Sequence, residues 1–187
     1  FRPRVAVVTD NSEFHLYKLD KSLRQAEPDL SIVTRLVDVR DPVRVSSIMR
    51  EFRPDIVFHA AALKHVPLVE ENPLEGIKTN VFGTVNVANA ALESEVSAFV
   101  MISTDKAVNP TNLMGASKRT AEVYCQSLDV TSKITRFKTV RFGNVLGSNG
   151  SVVPRFEEQI AAGGPVTVTH PDIERFFMTI PEAVRLV

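Results

Sequence analysis

The chain has 187 residues, of which 44% are hydrophobic and 24% are charged, a composition typical of one globular domain, or part of a larger one, and not of a disordered segment. Its 22 Lys and Arg residues balance its 22 Asp and Glu residues, so no excess of charge indicates nucleic acid or another polyanion as a partner. The single cysteine, Cys125, excludes an intrachain disulfide and a zinc site of several cysteines, and no apolar run approaches the ~20 residues of a membrane helix.

Five short apolar runs, rich in β-branched residues, alternate along the chain with amphipathic stretches. Near-continuous apolar runs are typical of strands buried on both faces of a parallel sheet. The pattern therefore predicts an α/β fold, a doubly wound parallel sheet with right-handed crossovers. The predicted strands are Val5 to Asp10, Ile32 to Val37, Ile56 to Ala60, Ala98 to Ser103 and Thr139 to Phe142. The predicted helices are Ser12 to Ala26, Pro42 to Phe52, Pro73 to Leu92 and Asn112 to Leu128, with a further helix that begins near Val153.

Asp10 closes the first predicted strand. In a dinucleotide-binding fold, an acid about 20 residues after the glycine-rich loop accepts hydrogen bonds from the adenosine ribose, but acids are also common at strand ends without that role. No G-x-G-x-x-G motif occurs in the chain. If Asp10 ends the second strand of such a fold, the first strand and the glycine-rich loop would lie upstream of Phe1. We therefore expect residues 1–187 to be a single domain cut at both ends from a longer polypeptide.

Asp38 and Val39 follow the second predicted strand, at a place that lies beside the adenine in dinucleotide-binding folds. There the Asp38 carboxylate could accept a hydrogen bond from the exocyclic amine of the adenine. The alternative is that Asp38 is a turn residue that caps the helix beginning at Pro42, and the neighbouring residues favour this cap.

Small residues follow the third predicted strand at Ala60, Ala61 and Ala62. At the carboxyl end of a strand they would let a flat cofactor lie against the backbone, although close packing of a helix on a strand also needs them. Lys64 comes just after them and is well placed to reach a ligand. Asn80, within the long predicted helix, is either solvated or bridges backbone groups near the site.

The most informative segment is Ser103, Thr104, Asp105 and Lys106, because two hydroxyls, a carboxylate and an amine leave the end of the fourth strand together. An adjacent acid and base suit paired proton transfer, provided that burial moves their pKa values towards neutrality. Asp105 would need a raised pKa to act as the acid. The alternative is a solvated loop with a surface ion pair.

Met114 and Lys118 lie four residues apart on a predicted helix, so they share one face. A Tyr at position 114 would complete the Y-x-x-x-K pair of nicotinamide oxidoreductases, in which the Lys lowers the pKa of the phenol and holds the nicotinamide ribose. Met has no titratable proton. Taken alone, this spacing is more typical of one core residue and one surface residue.

The last motif is a predicted strand that ends at Phe142 and is followed by a Gly- and Asn-rich loop, residues 143–150. Loop amides, the start of the next helix and the Arg155 guanidinium could together bind a diphosphate. Loops of this composition are also often only turns.

Taken in order, these segments resemble the extended short-chain dehydrogenase/reductases that act on nucleotide sugars, and most closely the UDP-N-acetylglucosamine 4,6-dehydratases of polysaccharide biosynthesis. The resemblance covers essentially the whole chain and implies the Rossmann-like form of the predicted fold. A Met in the tyrosine position occurs in the large, membrane-anchored branch of that family. The most specific segments are residues 59–67, 103–110, 114–118 and 141–151.

The resemblance implies that a UDP-N-acetylhexosamine is dehydrated to a UDP-4-keto-6-deoxy sugar, with NAD, or alternatively NADP, as cofactor. The hexose is oxidised at C4, loses the C5 proton and the C6 hydroxyl as water, and is reduced at C6. Lys106 would be the C5 base, Asp105 the acid at C6, and Thr104 the group that accepts or relays the C4 hydroxyl proton. Lys118 would position the nicotinamide ribose, while Met114 fills the tyrosine position without carrying a proton.

The resemblance also assigns binding residues, and it implies no metal. The residues implied for the cofactor are Asp10, Asp38, Val39, Ala60, Ala61, Ala62, Asn80, Ser103 and Lys118. Those implied for the substrate are Lys64, Asn144, Arg155 and Arg175. The implied partner is a UDP-sugar, and the implied assembly is a homo-oligomer. The implied location is the cytoplasm or, if the full-length protein is membrane-anchored, the cytoplasmic face of the inner membrane.

Three rival interpretations stay open. A nucleotide-sugar 4-epimerase would share the fold and the cofactor, but it needs no acid–base pair for elimination and usually keeps the Tyr. A non-catalytic dinucleotide-binding module could also lack the Tyr, yet it would have no reason to carry Thr104, Asp105 and Lys106 beside the cofactor. The third interpretation is a folded but inert fragment.

Overall fold

The fold is described from a computed structural model that covers residues 2–147, 152–168, 170, 172 and 174–187. The strands are β1 (Val5–Asp10), β2 (Ser31–Leu36), β3 (Ile56–His59), β4 (Ala98–Thr104), β5 (Arg136–Phe142), β6 (Asn144–Val145) and β7 (Phe177–Met178). The α-helices are α1 (Glu13–Ala26), α2 (Pro42–Phe52), α3 (Val66–Glu71), α4 (Pro73–Ile77), α5 (Gly83–Glu93), α6 (Leu113–Thr131), α7 (Val152–Ala161) and α8 (Ile180–Arg185).

All strand pairs in these residues are parallel, which confirms the predicted α/β fold. β1 pairs with β2, the strands β3, β4 and β5 form a sheet in that order, and β6 pairs with β7. Within the part of the chain that the structure describes, no backbone ladder joins β1 to β3. The further strand expected upstream of Phe1 stays a prediction.

β5 begins three residues earlier than the apolar run predicts, at Arg136. Its first residues alternate in exposure, because Phe137 is buried between the exposed Arg136 and Lys138. The strand nevertheless pairs with β4 along its whole length, and the ring of Phe137 packs 5.2 Å from that of Phe99, measured between centroids. Tertiary pairing therefore extends the strand beyond its apolar run.

The helices begin where the sequence supplies caps. Ser12 caps α1, Asp41 caps α2 and Asn112 caps α6, each with a side-chain oxygen that accepts a backbone N–H three residues further on. The helix predicted over Pro73 to Leu92 is interrupted, because Lys78–Phe82 forms a π-helical turn between α4 and α5. Such turns occur frequently at functional sites.

The core lies where α2, α5 and α6 cover the sheet around β4. Phe99 and Met101 of β4 are fully buried and belong to one cluster with Ala88 of α5 and Ala121 of α6. A single turn of 3₁₀-helix, Asp105–Ala107, follows β4 directly. The carboxyl end of β4 and the 3₁₀ turn therefore follow directly from buried core residues.

Candidate active site at the carboxyl end of β4

The predicted acid–base pair lies at the end of β4. Asp105 Oδ1 accepts hydrogen bonds from Lys106 Nζ at 2.9 Å and from Thr104 Oγ1 at 2.9 Å. The side chains of Asp105 and Lys106 are each 31% exposed, so the pair is neither fully solvated nor buried. Burial alone would raise the pKa of Asp105, but the hydrogen bonds from Lys106 and Thr104 outweigh it and leave this pKa below its usual value. The expected rise in the pKa of Asp105 is therefore wrong for this arrangement, in which the carboxylate is ionised.

Asp105 and Lys106 border a cleft of about 320 Å³. Asn144 and Arg175, both predicted to contact substrate, line the same cleft, together with Glu174 and Phe176. The side chains thus converge from the end of β4, from β6 and from the segment before β7. A larger cleft of about 400 Å³, at the carboxyl ends of α2 and α5, contains none of the predicted residues.

The cleft wall before β7 is fixed to the end of β5. The backbone N–H of Asn144 donates to the carbonyl oxygen of Phe176 at 2.8 Å, and the Asn144 side chain donates to the same oxygen at 3.2 Å. A Cβ on Gly143 would lie only 2.8 Å from that oxygen. This close approach of two backbones requires glycine at position 143.

Met114 and Lys118 are both buried, with exposures of 3% and 4%, so the interpretation of one core and one surface residue is wrong. Lys118 Nζ donates to the carbonyl oxygen of Ile102 in β4 at 2.7 Å. Burial lowers the pKa of Lys118 to about 8, against the opposing influence of Glu122 and Cys125. The ammonium group is therefore held at the same strand end as the acid–base pair.

A buried carboxylate that the sequence analysis missed lies beside them. Glu122 Oε1 accepts a hydrogen bond from Ser103 Oγ at 2.6 Å, and the Glu122 side chain is fully buried. Arg141 donates to its two oxygens at 2.9 and 2.6 Å, and Arg119 donates at 3.1 Å. Burial would raise the pKa of Glu122, but the bonds from Arg141, Ser103 and Arg119 lower it overall. The four-residue spacing of 118 and 122 was the signal that could have identified this residue.

Asn80 connects three elements and is fully buried, so it bridges backbone groups rather than being solvated. Its side chain accepts from the Leu63 N–H at 2.8 Å and donates to the Leu63 carbonyl at 3.0 Å and to Ser117 Oγ at 3.0 Å. The backbone carbonyl of Asn80 accepts a hydrogen bond from Thr84 Oγ1. The same Thr84 oxygen lies 2.9 Å from His59 Nε2. Burial, with a smaller influence from Lys118, lowers the pKa of His59 to about 3, so this imidazole is neutral.

The predicted adenosine-binding residues lie at the ends of β1 and β2. Asp10 Oδ1 accepts from the Ser12 N–H at 2.7 Å. The hydrogen-bonded Arg40 guanidinium, 2.6 Å away, holds the pKa of Asp38 below its usual value, although burial opposes this. Since Asp41 is the cap of α2, the cap interpretation of Asp38 is wrong. The Val39 carbonyl accepts from the Asn86 side chain at 2.9 Å.

The remaining predicted residues lie further apart. After β3, Ala60, Ala61 and Lys64 are exposed and Ala62 is partly buried. Arg155 is exposed on α7 and is not among the described residues that line the cleft. Of the predicted diphosphate loop, residues 148–150 lie outside the described residues, as does residue 151.

Among the described residues, no three His, Cys, Asp or Glu side chains form a group that could hold a metal ion. Across those same ranges, every helix is too short or too polar to span a bilayer.

The chain is similar to several curated proteins. It is 53% identical over 188 residues to the capsular polysaccharide biosynthesis protein CapD of Staphylococcus aureus, covering all of this chain and 31% of that protein. It is 44% identical over 153 residues to a UDP-N-acetylglucosamine 4,6-dehydratase (inverting) of Campylobacter jejuni, covering 80% of this chain and 45% of that protein. It is 38% identical over 187 residues to a UDP-glucose 4-epimerase of Rickettsia canadensis, covering 97% of this chain and 54% of that protein. The chain thus spans between about a third and about half of these relatives.

The fold matches the crystal structure of Pen from Bacillus thuringiensis with a TM-score of 0.89 and 41% identity, over 99% of this chain and 58% of that chain. Residues 1–187 match the family described as "Polysaccharide biosynthesis protein" over their whole length. These findings confirm the resemblance that the motifs predict. The chain belongs to the polysaccharide biosynthesis protein family, within the extended short-chain dehydrogenase/reductases.

Proposed function

We propose that the protein to which this chain belongs dehydrates UDP-N-acetylglucosamine to a UDP-4-keto-6-deoxy sugar with NAD. The observation that carries this proposal is the hydrogen-bonded group of Thr104, Asp105 and Lys106 at the border of a cleft. An adjacent acid and base suit an elimination, in which one proton leaves C5 and another is delivered to the C6 oxygen. The 44% identity to a 4,6-dehydratase supports the same reaction.

The residues present fit a dinucleotide cofactor. Ribose hydroxyls and the adenine amine are donors, and the carboxylates of Asp10 and Asp38 are acceptors at the two strand ends where such donors would lie. The exposed small side chains of Ala60 and Ala61 leave room for a flat ring, and the Lys118 ammonium could hold the nicotinamide ribose. When bound, NAD would supply the oxidation at C4 and the reduction at C6.

The side chains of this chain can account for every proton in the reaction. The C4 hydroxyl proton passes to Thr104 Oγ1 while Thr104 passes its own proton to Asp105, along the 2.9 Å hydrogen bond between them. Asp105 then releases this proton to the departing C6 hydroxyl, which leaves as water. Lys106 takes the C5 proton, its ammonium protons exchange with solvent, and it then delivers one proton back to C5. An ionised Asp105 is thus the starting state that the cycle requires.

Cationic and amide side chains are available for the UDP-sugar. Arg175 and Asn144 line the cleft beside the acid–base pair. We assign Lys64 and Arg155 to the substrate as well, with Arg155 on the diphosphate because a guanidinium matches phosphate oxygens in a bidentate manner. The homo-oligomer and the cytoplasmic location implied by the resemblance stay predictions.

The test is to incubate the full-length protein with UDP-N-acetylglucosamine in D₂O and to analyse the products by NMR and mass spectrometry. The expected product has lost one water, carries a 4-keto group and a C6 methyl, and contains deuterium at C5. Recovery of unchanged substrate would contradict the proposal.

A second candidate is a nucleotide-sugar 4-epimerase, which the 38% identity to a UDP-glucose 4-epimerase supports. An epimerase inverts C4 and loses no water, so its product has the mass of the substrate. The same experiment therefore separates the two reactions. Lys106 beside Asp105 favours the dehydratase, because inversion at C4 removes no C5 proton and so leaves Lys106 without a proton to take.

A further inference from the structure

Three successive turns of helix α6 contact the end of β4 or the 3₁₀ turn that follows it. At its first turn, a Cβ on Gly115 would overlap the carbonyl oxygen of Lys106, so the helix backbone lies directly on the 3₁₀ turn. One turn later, Lys118 donates to the carbonyl oxygen of Ile102. A further turn on, Glu122 accepts from the hydroxyl of Ser103. Two consecutive residues of β4 are thus each bonded to α6, immediately before Thr104.

Glu122 is itself held from a second direction. The guanidinium of Arg141, on β5, binds both of its oxygens, at 2.9 and 2.6 Å. Bidentate, charge-assisted bonds of this kind fix orientation as well as distance. Since the Glu122 side chain is inaccessible to solvent, its bond to Ser103 is also protected from competition by water.

We propose that Glu122 is a positioning residue, which joins α6, β5 and the end of β4 and so fixes where Thr104, Asp105 and Lys106 enter the cleft. The proposal rests on the proposed function for its effect on turnover. Glu122 touches neither substrate nor cofactor in this account and acts only through Ser103. A displacement of about 1 Å in a reacting group can cost on the order of 100-fold in rate, so loss of this link should affect chemistry before it affects binding.

The molecule supplies a matched control on the same helix. Asp129 of α6 also bonds to β5, where its carboxylate accepts from the Phe137 N–H at 2.8 Å and from Arg136 at 3.4 Å. These contacts lie at the amino end of β5, away from the cleft. Asp129→Asn and Glu122→Gln each remove one charge and keep one carbonyl acceptor, at two positions where α6 bonds to β5.

Glu122→Gln should still fold. The carbonyl oxygen of Gln can still accept from Ser103, but its NH₂ group cannot accept the second bond from Arg141, so the side chain is no longer held in one orientation. The side chains of Arg141 and Arg119 are 36% and 42% exposed, so water can solvate the charges that lose their partner. Arg141→Lys is a second variant, which keeps the positive charge but cannot bind both oxygens of Glu122.

The experiment uses the full-length protein and measures kcat and KM for UDP-N-acetylglucosamine, with amide hydrogen exchange of residues 102–108 alongside. For Glu122→Gln we expect kcat to fall about 10- to 100-fold with KM within about two-fold of wild type. Exchange in residues 102–108 should rise by about 10-fold. Asp129→Asn should match wild type in both measurements, and Arg141→Lys should lie between the two.

Equal kcat values for Glu122→Gln and wild type, or equal losses in Glu122→Gln and Asp129→Asn, would overturn the positioning role. If the wild type forms no 4-keto-6-deoxy product, the proposed function fails on its own. Exchange at residues 102–108 then decides the positioning role alone, because faster exchange in Glu122→Gln but not in Asp129→Asn supports it, and equal exchange refutes it.

Discussion

The two sheets at the centre of this molecule hold their polar side chains in opposite ways. At the ends of β1 and β2, the carboxylates of Asp10 and Asp38 bond to partners only two residues away, since Asp10 accepts from Ser12 and Asp38 from Arg40. Around the end of β4, the buried polar side chains beneath Thr104, Asp105 and Lys106 bond across longer stretches of sequence. Ser103 and Glu122 are 19 residues apart, and Asn80 and Ser117 are 37 residues apart.

This difference separates recognition from chemistry under the proposed function. A carboxylate in a local, partly exposed turn can exchange a nearby partner for a ligand hydroxyl with little change in the backbone. Groups that move protons must instead be held in place before the ligand arrives, and this requires bonds between different elements. Variants in the two regions should therefore differ in which kinetic constant they change.

The largest effect should come from the acid–base pair. Removing a positioned acid or base typically costs about 10²- to 10⁴-fold in rate, so Lys106→Ala and Asp105→Asn should lose most turnover. Lys106→Ala should also stop deuterium from entering C5 in D₂O. Steady-state kinetics and NMR of the product measure both effects.

Met114→Leu is the control for that experiment. Only shape changes at this buried position, so substantial activity should remain. If Met114→Leu were as inactive as Lys106→Ala, the assignment of Thr104, Asp105 and Lys106 as the catalytic group would be wrong.

Lys118→Met should separate stability from activity. Holding Lys118 charged at pH 7, when burial has lowered its pKa from 10.5 to about 8, costs on the order of 3 kcal/mol. The hydrogen bond from Lys118 to the Ile102 carbonyl offsets about 1 to 2 kcal/mol of that free-energy cost. The variant should therefore gain about 1 to 2 kcal/mol in the free energy of unfolding at pH 7, yet lose activity with the ribose contact.

The pH dependence of that gain follows from the direction of the shift. Between pH 8 and 10.5 the unfolded chain binds more protons at Lys118 than the folded protein does, so this group adds stability as pH rises. The advantage of Lys118→Met should be greatest below pH 8 and should shrink towards pH 10.5. Urea unfolding at several pH values measures it, and a constant difference across this range would contradict the explanation.

The sequence predicts the local features of this site and misses the tertiary ones. Asp105 and Lys106 are adjacent in the chain, so their pairing needs only a strand that ends before them. The bond between Glu122 and Arg141 forms only after α6 packs across β4 and β5. The spacing of Lys118 and Glu122 places Glu122 on the same helix face as Lys118, but no local pattern pairs Glu122 with Arg141. The π-helical turn over Lys78–Phe82 is equally invisible, because its residues continue an ordinary helical pattern.

The cleft shows the same limit. Arg175 and Asn144 come together because β6 and β7, of only two residues each, pair in parallel. Strands this short produce no alternation of apolar and polar residues that a sequence pattern could reveal. Their place was predicted from family resemblance and not from periodicity.

Arg155→Ala should change binding more than chemistry. A phosphate contact remote from C4, C5 and C6 contributes equally to the ground state and the transition state, so its loss should raise KM by about 5- to 10-fold and leave kcat unchanged. Arg50→Ala, an exposed arginine on α2, is the control and should leave both constants unchanged. A lower kcat at saturating substrate with an unchanged KM would exclude the diphosphate role.

The smallest effect should come from Asp38, in the region with local bonds. Its carboxylate already binds Arg40 through both oxygens, so any contact with an adenine amine must compete with that ion pair. Asp38→Asn should weaken NAD binding by only about two- to five-fold, because exposed charged contacts contribute about 1 kcal/mol or less. Turnover at saturating NAD should match wild type.

Glu75→Gln is the control, since Glu75 binds the same Arg40 at 2.8 Å and does not contact the Asp38 carboxylate. A calorimetric titration measures NAD binding to both variants. If both substitutions weakened NAD binding equally, the affinity would depend on the ion pairs of Arg40 and not on a contact between the Asp38 carboxylate and the adenine.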